Sequence, residues 1–399
     1  MSDTAKPYVI VGGGVAGITA AQELAKTNAG QVLVFSAEPH AYYYRPRLTE
    51  YLAGEIDRAQ LIRRPREWYV ERGVDVQLGT PVVALDPARK RVTLKDGREV
   101  AYARLLLAMG SHPIQLPILG REKRGVFVMR TLEDAEAILD YAARVERAIV
   151  IGGGLLGLET ARALRVRGLE VTVLEYFPRL LPRQLDAEGA QLLKTLIEMQ
   201  GVQVALSADT QEIYGDETVA GLRLKDGRDF PAQLVVMAAG VRSDVVLAQQ
   251  AGLQVERGVV VNAQMQTSAP DVYAAGDVAV FNGRVWAIAP VALAQAKVAA
   301  AVMAGQEAAY EEIVPSTTLK IMGIALTSAG LACPAAEEGI VELRRMDPVA
   351  FTYKKLVLKA DGELIGAIIL GDKALAQQIE ALLNRHACLS PEEAAHLIA

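Results

Sequence analysis

Residues 8–35 read YVIVGGGVAGITAAQELAKTNAGQVLVF, and residues 148–174 read AIVIGGGLLGLETARALRVRGLEVTVL. In the first stretch, four buried-strand residues (Tyr8 to Val11) lead into a glycine turn (Gly12 to Gly17). A helical segment (Ile18 to Thr27) follows, stopping near Gly30, and a second apolar strand (Val32 to Phe35) closes the unit. The same order returns as Ala148 to Ile151, Gly152 to Gly157, Leu158 to Arg167, Gly168 and Val171 to Leu174. The correspondence continues downstream. Leu94-Lys95-Asp96-Gly97-Arg98 recurs as Leu224-Lys225-Asp226-Gly227-Arg228, and each is followed by an apolar strand ending in glycine, Leu105 to Gly110 and Leu234 to Gly240. A pentapeptide can repeat by chance, but not in register with two glycine turns. The chain therefore carries a duplicated βαβ-based fold.

Each glycine turn is G-x-G-x-x-G following a strand and opening a helix, the context in which that pattern signals dinucleotide binding. Gly12 and Gly152 permit the tight turn, Gly14 and Gly154 let backbone approach a pyrophosphate, and Gly17 and Gly157 allow close helix packing. The phosphates are expected at the positively polarised helix N-terminus. Glu175 directly follows the second strand of the second copy, where a carboxylate accepts the ribose hydroxyls and repels a 2′-phosphate; NADH is thus favoured over NADPH, with Arg179 nearby as the opposing influence. The equivalent position in the first copy is Ser36, and the nearest acid is Glu38, so either residue is available to that ribose.

Composition excludes several classes. The 399 residues are 51% hydrophobic and 22% charged with a net charge of -5, which fits a globular chain of two or three domains and not a nucleic-acid binder. No apolar run reaches the ~18 residues of a membrane span, and no secretory leader is read at the N-terminus, so a cytoplasmic location is expected. The two cysteines, Cys333 and Cys388, have no metal-ligand spacing, and no metal is expected.

Residues Thr267 to Asp277, TSAPDVYAAGD, resemble the second FAD signature of the pyridine nucleotide-disulfide oxidoreductase superfamily. The resemblance implies an α/β fold of two Rossmann-like dinucleotide-binding domains, glutathione-reductase-like with one inserted in the other, plus a small α+β C-terminal domain. The implied division is an FAD domain over 1–112 and 243–314, an NAD domain over 113–242 and a C-terminal domain over 315–399. Gly276 and Asp277 would serve the flavin, Asp277 through a ribityl hydroxyl. Leu107-Ala108-Met109-Gly110-Ser111 resembles the family's A-T-G crossover, with Met109 in place of threonine and Ala108 and Gly110 beside the cofactor; the return crossover is Ala239-Gly240-Val241-Arg242.

No cysteine precedes Cys333, so the thiol-dependent branches lose their redox group. Tyr43-Tyr44-Arg45-Pro46-Arg47-Leu48 instead resembles the Y-x-R-P-x-L segment of thiol-free electron-transfer reductases, in which Arg45 and Pro46 would contact the cofactor. Glu50 and Glu159 are both acidic where ferredoxin reductases pair a lysine with a glutamate, which is closer to rubredoxin reductases. Residues 315–323 and 364–367 also resemble the C-terminal domain of rubredoxin reductases and of nitrite-reductase flavin units. The implied activity is electron transfer from NADH through FAD to a small carrier such as rubredoxin or ferredoxin, by a monomer or homodimer. Glu159 would orient the nicotinamide carboxamide, and Lys320 would supply the charge opposing Glu159 and Glu50. A quinone reductase or oxidase, a nitrite-reductase component and a redox-sensing flavoprotein resembling apoptosis-inducing factor are the alternatives. Arg58, Arg63, Arg64, Arg66 and Arg72 outnumber Glu67 and Glu71 along one segment, a landing patch for an acidic carrier or a solvated helix face.

Overall fold

The computed structural model describes residues 6–28, 30–312, 316–321, 323–334 and 339–399; the side chains of 316–321 and of residue 66 lie outside the description. The chain forms two compact units, one made of residues 1–47, 57–112 and 241–313 and the other of 48–56, 113–240 and 314–399.

In the first unit, four-residue apolar runs pair in parallel because their helical crossovers return each strand in the same direction. The sheet order is Val272–Ala274, Arg104–Leu107, Tyr8–Val11, Val32–Phe35, Val74–Gln77. Val9, Ile10, Val34, Leu105, Leu106 and Leu107 are fully buried, each contributing about 1.5–3 kcal/mol. Helices Val15–Thr27 and Ala289–Met303 pack on one another through small residues, among them Ala20, Ala296 and Ala299.

The second unit repeats this sheet as Val126–Val128, Leu234–Met237, Arg147–Ile151, Glu170–Leu174, Val202–Ala205. Its edge strand Val126–Val128 opens the repeat, whereas the equivalent Val272–Ala274 of the first sheet comes after it; the second copy is thus spliced in before the last strand of the first. Both copies carry a three-stranded antiparallel sheet, Val82–Asp86 with Arg91–Leu94 and Glu99–Ala101, and Thr210–Tyr214 with Gly221–Leu224 and Asp229–Pro231, each with an irregularity in its first strand. The repeated pentapeptide makes the same turn twice. Gly97 donates to the Leu94 carbonyl at 2.9 Å and Gly227 to that of Leu224 at 3.1 Å, while Arg98 and Arg228 each bind the aspartate two residues back.

The second unit also holds a five-stranded antiparallel sheet, in order Ser316–Ile321, Ile324–Gly330, Leu364–Leu370, Thr352–Lys359, Ile340–Asp347, packed by helix Lys373–Leu383. A further helix, Pro391–Leu397, opens on the Ser390 capping box. Residues 48–56 depart from the expected division: helix Leu48–Ala53 packs on helices Leu132–Ala142 and Leu155–Val166 of this unit, burying Leu48, Leu52 and Ala53. No helix among the described residues is long and apolar enough to cross a membrane.

The two glycine turns are superimposable in their constraints. Both first glycines are left-handed, Gly12 at φ +115° and Gly152 at φ +119°, and a Cβ on either would strike a carbonyl oxygen, that of Ala108 at 2.2 Å or that of Ala238 at 2.5 Å. A Cβ on Gly17 or Gly157 would lie 1.9 Å from the carbonyl oxygen of Gly12 or Gly152. Both helices begin three residues earlier than apolar periodicity indicates, at Val15 and Leu155, because the turn itself is the helix's first turn. A Cβ on Gly14 meets nothing within 4 Å. Gly17→Ala should therefore lower stability by ~1–3 kcal/mol or more in urea unfolding, whereas Gly14→Ala, with no clash to relieve, should cost only the cap difference of ~0.5–1 kcal/mol.

Candidate functional site

In the first unit, helix Val15–Thr27 starts at Gly14 and helix Ala289–Met303 at Ile288; neither N-terminus has a side-chain cap or an acidic residue in its first turn. The first turns of both lie against one residue, Gly276, whose added Cβ would sit 3.0 Å from Ala16 Cβ and 3.6 Å from Ala292 Cβ. Two positively polarised helix ends therefore converge where the sequence reading places a cofactor. Gly276 is held at φ +83° by donating its N–H to Gln295 Oε1 at 2.9 Å, with Gln295 buried. Its neighbour Asp277 is fixed twice: Ser111 Oγ donates to Oδ2 at 2.8 Å, and Ser243 Oγ donates to the backbone carbonyl at 2.6 Å. The crossover closes on the same corner, since the Gly110 carbonyl accepts from Asp244 N at 3.0 Å and the Ala108 carbonyl abuts Gly12.

Ser36 is buried against the glycine turn, its Oγ 2.8 Å from where a Cβ on Gly13 would lie. Glu38 is engaged elsewhere, pairing with Arg45 and accepting from the Tyr43 hydroxyl. Arg45 also donates to Tyr43 Oη at 2.8 Å and stands over that ring. Burial works against its charge, but Tyr43, Glu38 and Asp277 outweigh it and hold the guanidinium pKa above its ordinary value. Pro46 is exposed in the turn Arg45–Arg47.

In the second unit, helix Leu155–Val166 starts at Gly154, again with no side-chain cap and no first-turn acid. Glu175 is buried, with Oε2 accepting from Gly153 N at 2.6 Å and Oε1 from Phe177 N at 2.8 Å. Each carboxylate oxygen keeps a second acceptor site. Arg179 is turned away, donating to the carbonyls of Pro182 at 3.1 Å and Leu185 at 3.2 Å. Gly240, at φ +101°, accepts from Ile114 N at 3.0 Å on the return crossover.

Glu50 and Glu159 are half-buried on helices that pack together. A cation near both, which the sequence reading missed, is Arg162. It pairs with Glu55, and that hydrogen bond, against a penalty from burial, raises its pKa together with the charges of Glu55, Glu159 and Glu50. Its signal was available: three residues after Glu159, it lies on the same helix face. The side chain of Lys320 lies outside the described residues. In the arginine-rich segment, the guanidinium groups of Arg64 and Arg72 stand over the Trp68 ring at 4.9 and 4.3 Å, and Arg58 meets His40 Nδ1 at 3.3 Å; the side chain of Arg66 is outside the description.

Residues 6–306 match the family model of the pyridine nucleotide-disulphide oxidoreductases, and residues 315–387 match that of the rubredoxin NAD+ reductase C-terminal domain. The chain belongs to the pyridine nucleotide-disulphide oxidoreductase family. It is 37% identical to a nitrite reductase [NAD(P)H] of Bacillus subtilis over 96% of its own length, but spans only 48% of that protein. It is 30% identical to an NADH-rubredoxin oxidoreductase of Clostridium acetobutylicum, covering 94% of both chains. Among solved structures, the ferredoxin reductase for the CYP199A2 system of Rhodopseudomonas palustris matches at TM-score 0.89 and 27% identity, over 97% of this chain and 96% of that one. Several of the curated relatives are about twice as long as this chain.

The family's dinucleotides fit the residues present. Both cradles are open at Gly14 and Gly154, where a Cβ would meet nothing within 4 Å, and both end in uncapped helix termini. No cysteine precedes Cys333 in the sequence, and burial pushes the Cys333 thiol up in pKa, away from the nucleophilic thiolate. Gln295→Leu should strip the Gly276 N–H of its acceptor at a cost of ~1–3 kcal/mol. The measurement is flavin retention on gel filtration and the dissociation constant on reconstituting apoprotein; unchanged retention would remove Gln295 from the cofactor's support.

Proposed function

We propose that the chain is an FAD-dependent NADH oxidoreductase that passes electrons to a small one-electron carrier protein of the rubredoxin or ferredoxin type. The observation that carries this reading is the pair of matching uncapped glycine cradles in a chain without a redox thiol. The C-terminal match to rubredoxin NAD+ reductases adds the class of carrier.

FAD would be held in the first unit by Gly12, Gly14 and Gly17, whose turn brings helix N–H groups to the pyrophosphate. Ser36 would serve its adenosine ribose, or Glu38 on release from Arg45 and Tyr43, with Arg45 and Pro46 at the segment beyond and Ala108, Gly110, Gly276 and Asp277 at the ribityl chain and ring. The flavin, when bound, supplies the conversion of a two-electron hydride into single electrons. Helix Ala289–Met303 contributes its positive end, which favours negative charge on a reduced ring. NADH would be held by Gly152, Gly154 and Gly157, with Gly240 at the return crossover and Glu175 accepting from the ribose. A 2′-phosphate would meet the buried Glu175 carboxylate, and Arg179, committed to backbone carbonyls, does not offset that repulsion. Glu159 would orient the carboxamide, with Glu50, Arg162 and Lys320 setting the charge around it.

Identity to the Bacillus subtilis nitrite reductase favours a second reading, an electron-input unit for a siroheme partner. Anaerobic stopped-flow separates the two. Protein reduced with NADH is expected to be reoxidised fastest by rubredoxin; reoxidation by quinone or oxygen alone would overturn the carrier assignment, and selective reoxidation by a siroheme reductase would favour the second reading. NADH should be preferred over NADPH in kcat/KM, and Glu175→Ala should narrow that preference by roughly tenfold; an unchanged ratio would remove Glu175 from the discrimination.

A further inference from the structure

Lys355, on strand Thr352–Lys359, is 2% exposed, although a buried ammonium is stable only when paired. Its Nζ lies 2.9 Å from Glu342 Oε1 on the neighbouring strand and 3.4 Å from Asp186 Oδ2. Asp186 belongs to a distant stretch of the same unit: it is the N-cap of helix Ala187–Met199 and accepts from Gly189 N at 3.1 Å. The Tyr353 hydroxyl donates to Asp186 Oδ2 at 2.6 Å, the Tyr353 ring packs on Gly189, and Ser328 Oγ donates to the Gln184 carbonyl at 2.8 Å. Burial opposes charge on Asp186, but Tyr353, Gly189 N and Lys355 outweigh it and hold the carboxyl below its ordinary pKa. Arg344 of strand Ile340–Asp347 also stands 3.9 Å from Asp186 Oδ2 and 3.7 Å from Glu188 Oε1, so four side chains of the C-terminal sheet, Lys355 the buried cation among them, grip residues 184–188.

Residues 184–186 end a loop that begins at Glu175, and the loop is tied to the second glycine turn along its length. Leu181 N donates to the Gly153 carbonyl at 3.1 Å, and Leu180 packs so closely on Gly153 that a Cβ there would lie 2.5 Å from Leu180 Cδ2. Arg179 binds the Pro182 and Leu185 carbonyls, and Glu175 takes the Gly153 N–H. Leu181 is held at φ +48°, a left-handed conformation that a leucine keeps only where its surroundings over-determine it. Contact is therefore continuous from Lys355 through Asp186 and the 176–185 backbone to the corner made by Glu175 and Gly153.

We propose that Lys355 is a positioning residue for the nicotinamide dinucleotide: through Asp186 it fixes loop 176–186, and so the geometry with which Glu175 and Gly153 receive the ribose. This gives the C-terminal sheet a part in dinucleotide affinity, and it rests on the second glycine turn being the NADH site. A brace with no bearing on that site would leave the same contacts, so the test must read the loop itself.

The holoenzyme is compared with Lys355→Met, Lys355→Arg and Ser328→Ala. Readouts are KM and kcat for NADH with ferricyanide, NAD+ affinity by calorimetry, and hydrogen exchange of residues 176–186 without nucleotide. Lys355→Met is expected to raise KM and the NAD+ dissociation constant about tenfold, leave kcat within roughly twofold and speed exchange in 176–186. Lys355→Arg should restore much of the loss, and Ser328→Ala should move the same readouts less without uncovering a charge. A lowered melting temperature with KM, affinity and loop exchange unchanged would overturn the proposal. If Lys355→Met does not fold, Ser328→Ala decides it, and unchanged exchange there overturns it. Wild-type protein that binds no NAD+ would sink the nicotinamide reading beneath it, an outcome kept apart because exchange reports the latch without nucleotide.

Discussion

The organisation of this chain depends on how closely a helix can approach the strand before it. At Gly17 and again at Gly157, the helix backbone sits where any side chain would collide with a carbonyl oxygen 1.9 Å away. That approach brings the helix end against the sheet, and it is possible only because the preceding glycine adopts a left-handed turn that other residues resist. The same geometry leaves the helix terminus uncapped. An uncapped terminus is a cost in an ordinary protein, since its N–H groups lack partners; here it recurs in both copies with no acid or polar cap to relieve it. A constraint of packing and a set of backbone donors suited to an anion are thus one feature.

Duplication explains why the remaining elements fall into place. Each copy pairs its parallel sheet with a three-stranded antiparallel sheet closed by an Asp-Gly turn, and in each the arginine after that turn binds the aspartate beside it. The copies differ in what lies against the turn. The first has Ser36 against its turn and commits Glu38 to Arg45 and Tyr43; the second has Glu175 taking the turn's own N–H. The first also acquires Gly276 and the Ala289–Met303 helix from beyond the insertion, so one cradle receives a second helix end.

Much of this was legible in the sequence because it is local. The glycine turns, the repeated pentapeptide and the Asp277 signature each declare themselves within a dozen residues. Helix starts were read late because Val15-Ala16-Gly17 carries too little apolar periodicity to show that the turn is already helical. Residues 48–56 fall within the FAD domain that the resemblance implies, yet they form a helix that buries Leu48, Leu52 and Ala53 and packs on Leu132–Ala142 and Leu155–Val166, far along the chain. The Gln295 bond to Gly276, the Arg162 pairing with Glu55 and the Tyr353 bond to Asp186 join segments that no sequence window holds together.

Buried charge marks where such long-range specification was needed. Apolar packing tolerates small slips, whereas an ion pair removed from water loses most of its value if a partner moves. Lys355 lies buried between Glu342 and Asp186; Arg162, only half-buried, pairs with the exposed Glu55 close to two further carboxylates. Both cations tie segments remote in sequence to elements flanking the second glycine turn: Arg162 holds residues 48–56 to the helix that starts at Gly154, and Lys355 holds the C-terminal sheet to the loop that starts at Glu175. At the buried Lys355, an apolar trio of similar volume would be compatible with stability, so what the charge adds is register: it fixes one arrangement of Asp186 and of the loop that runs back to Glu175 and Gly153.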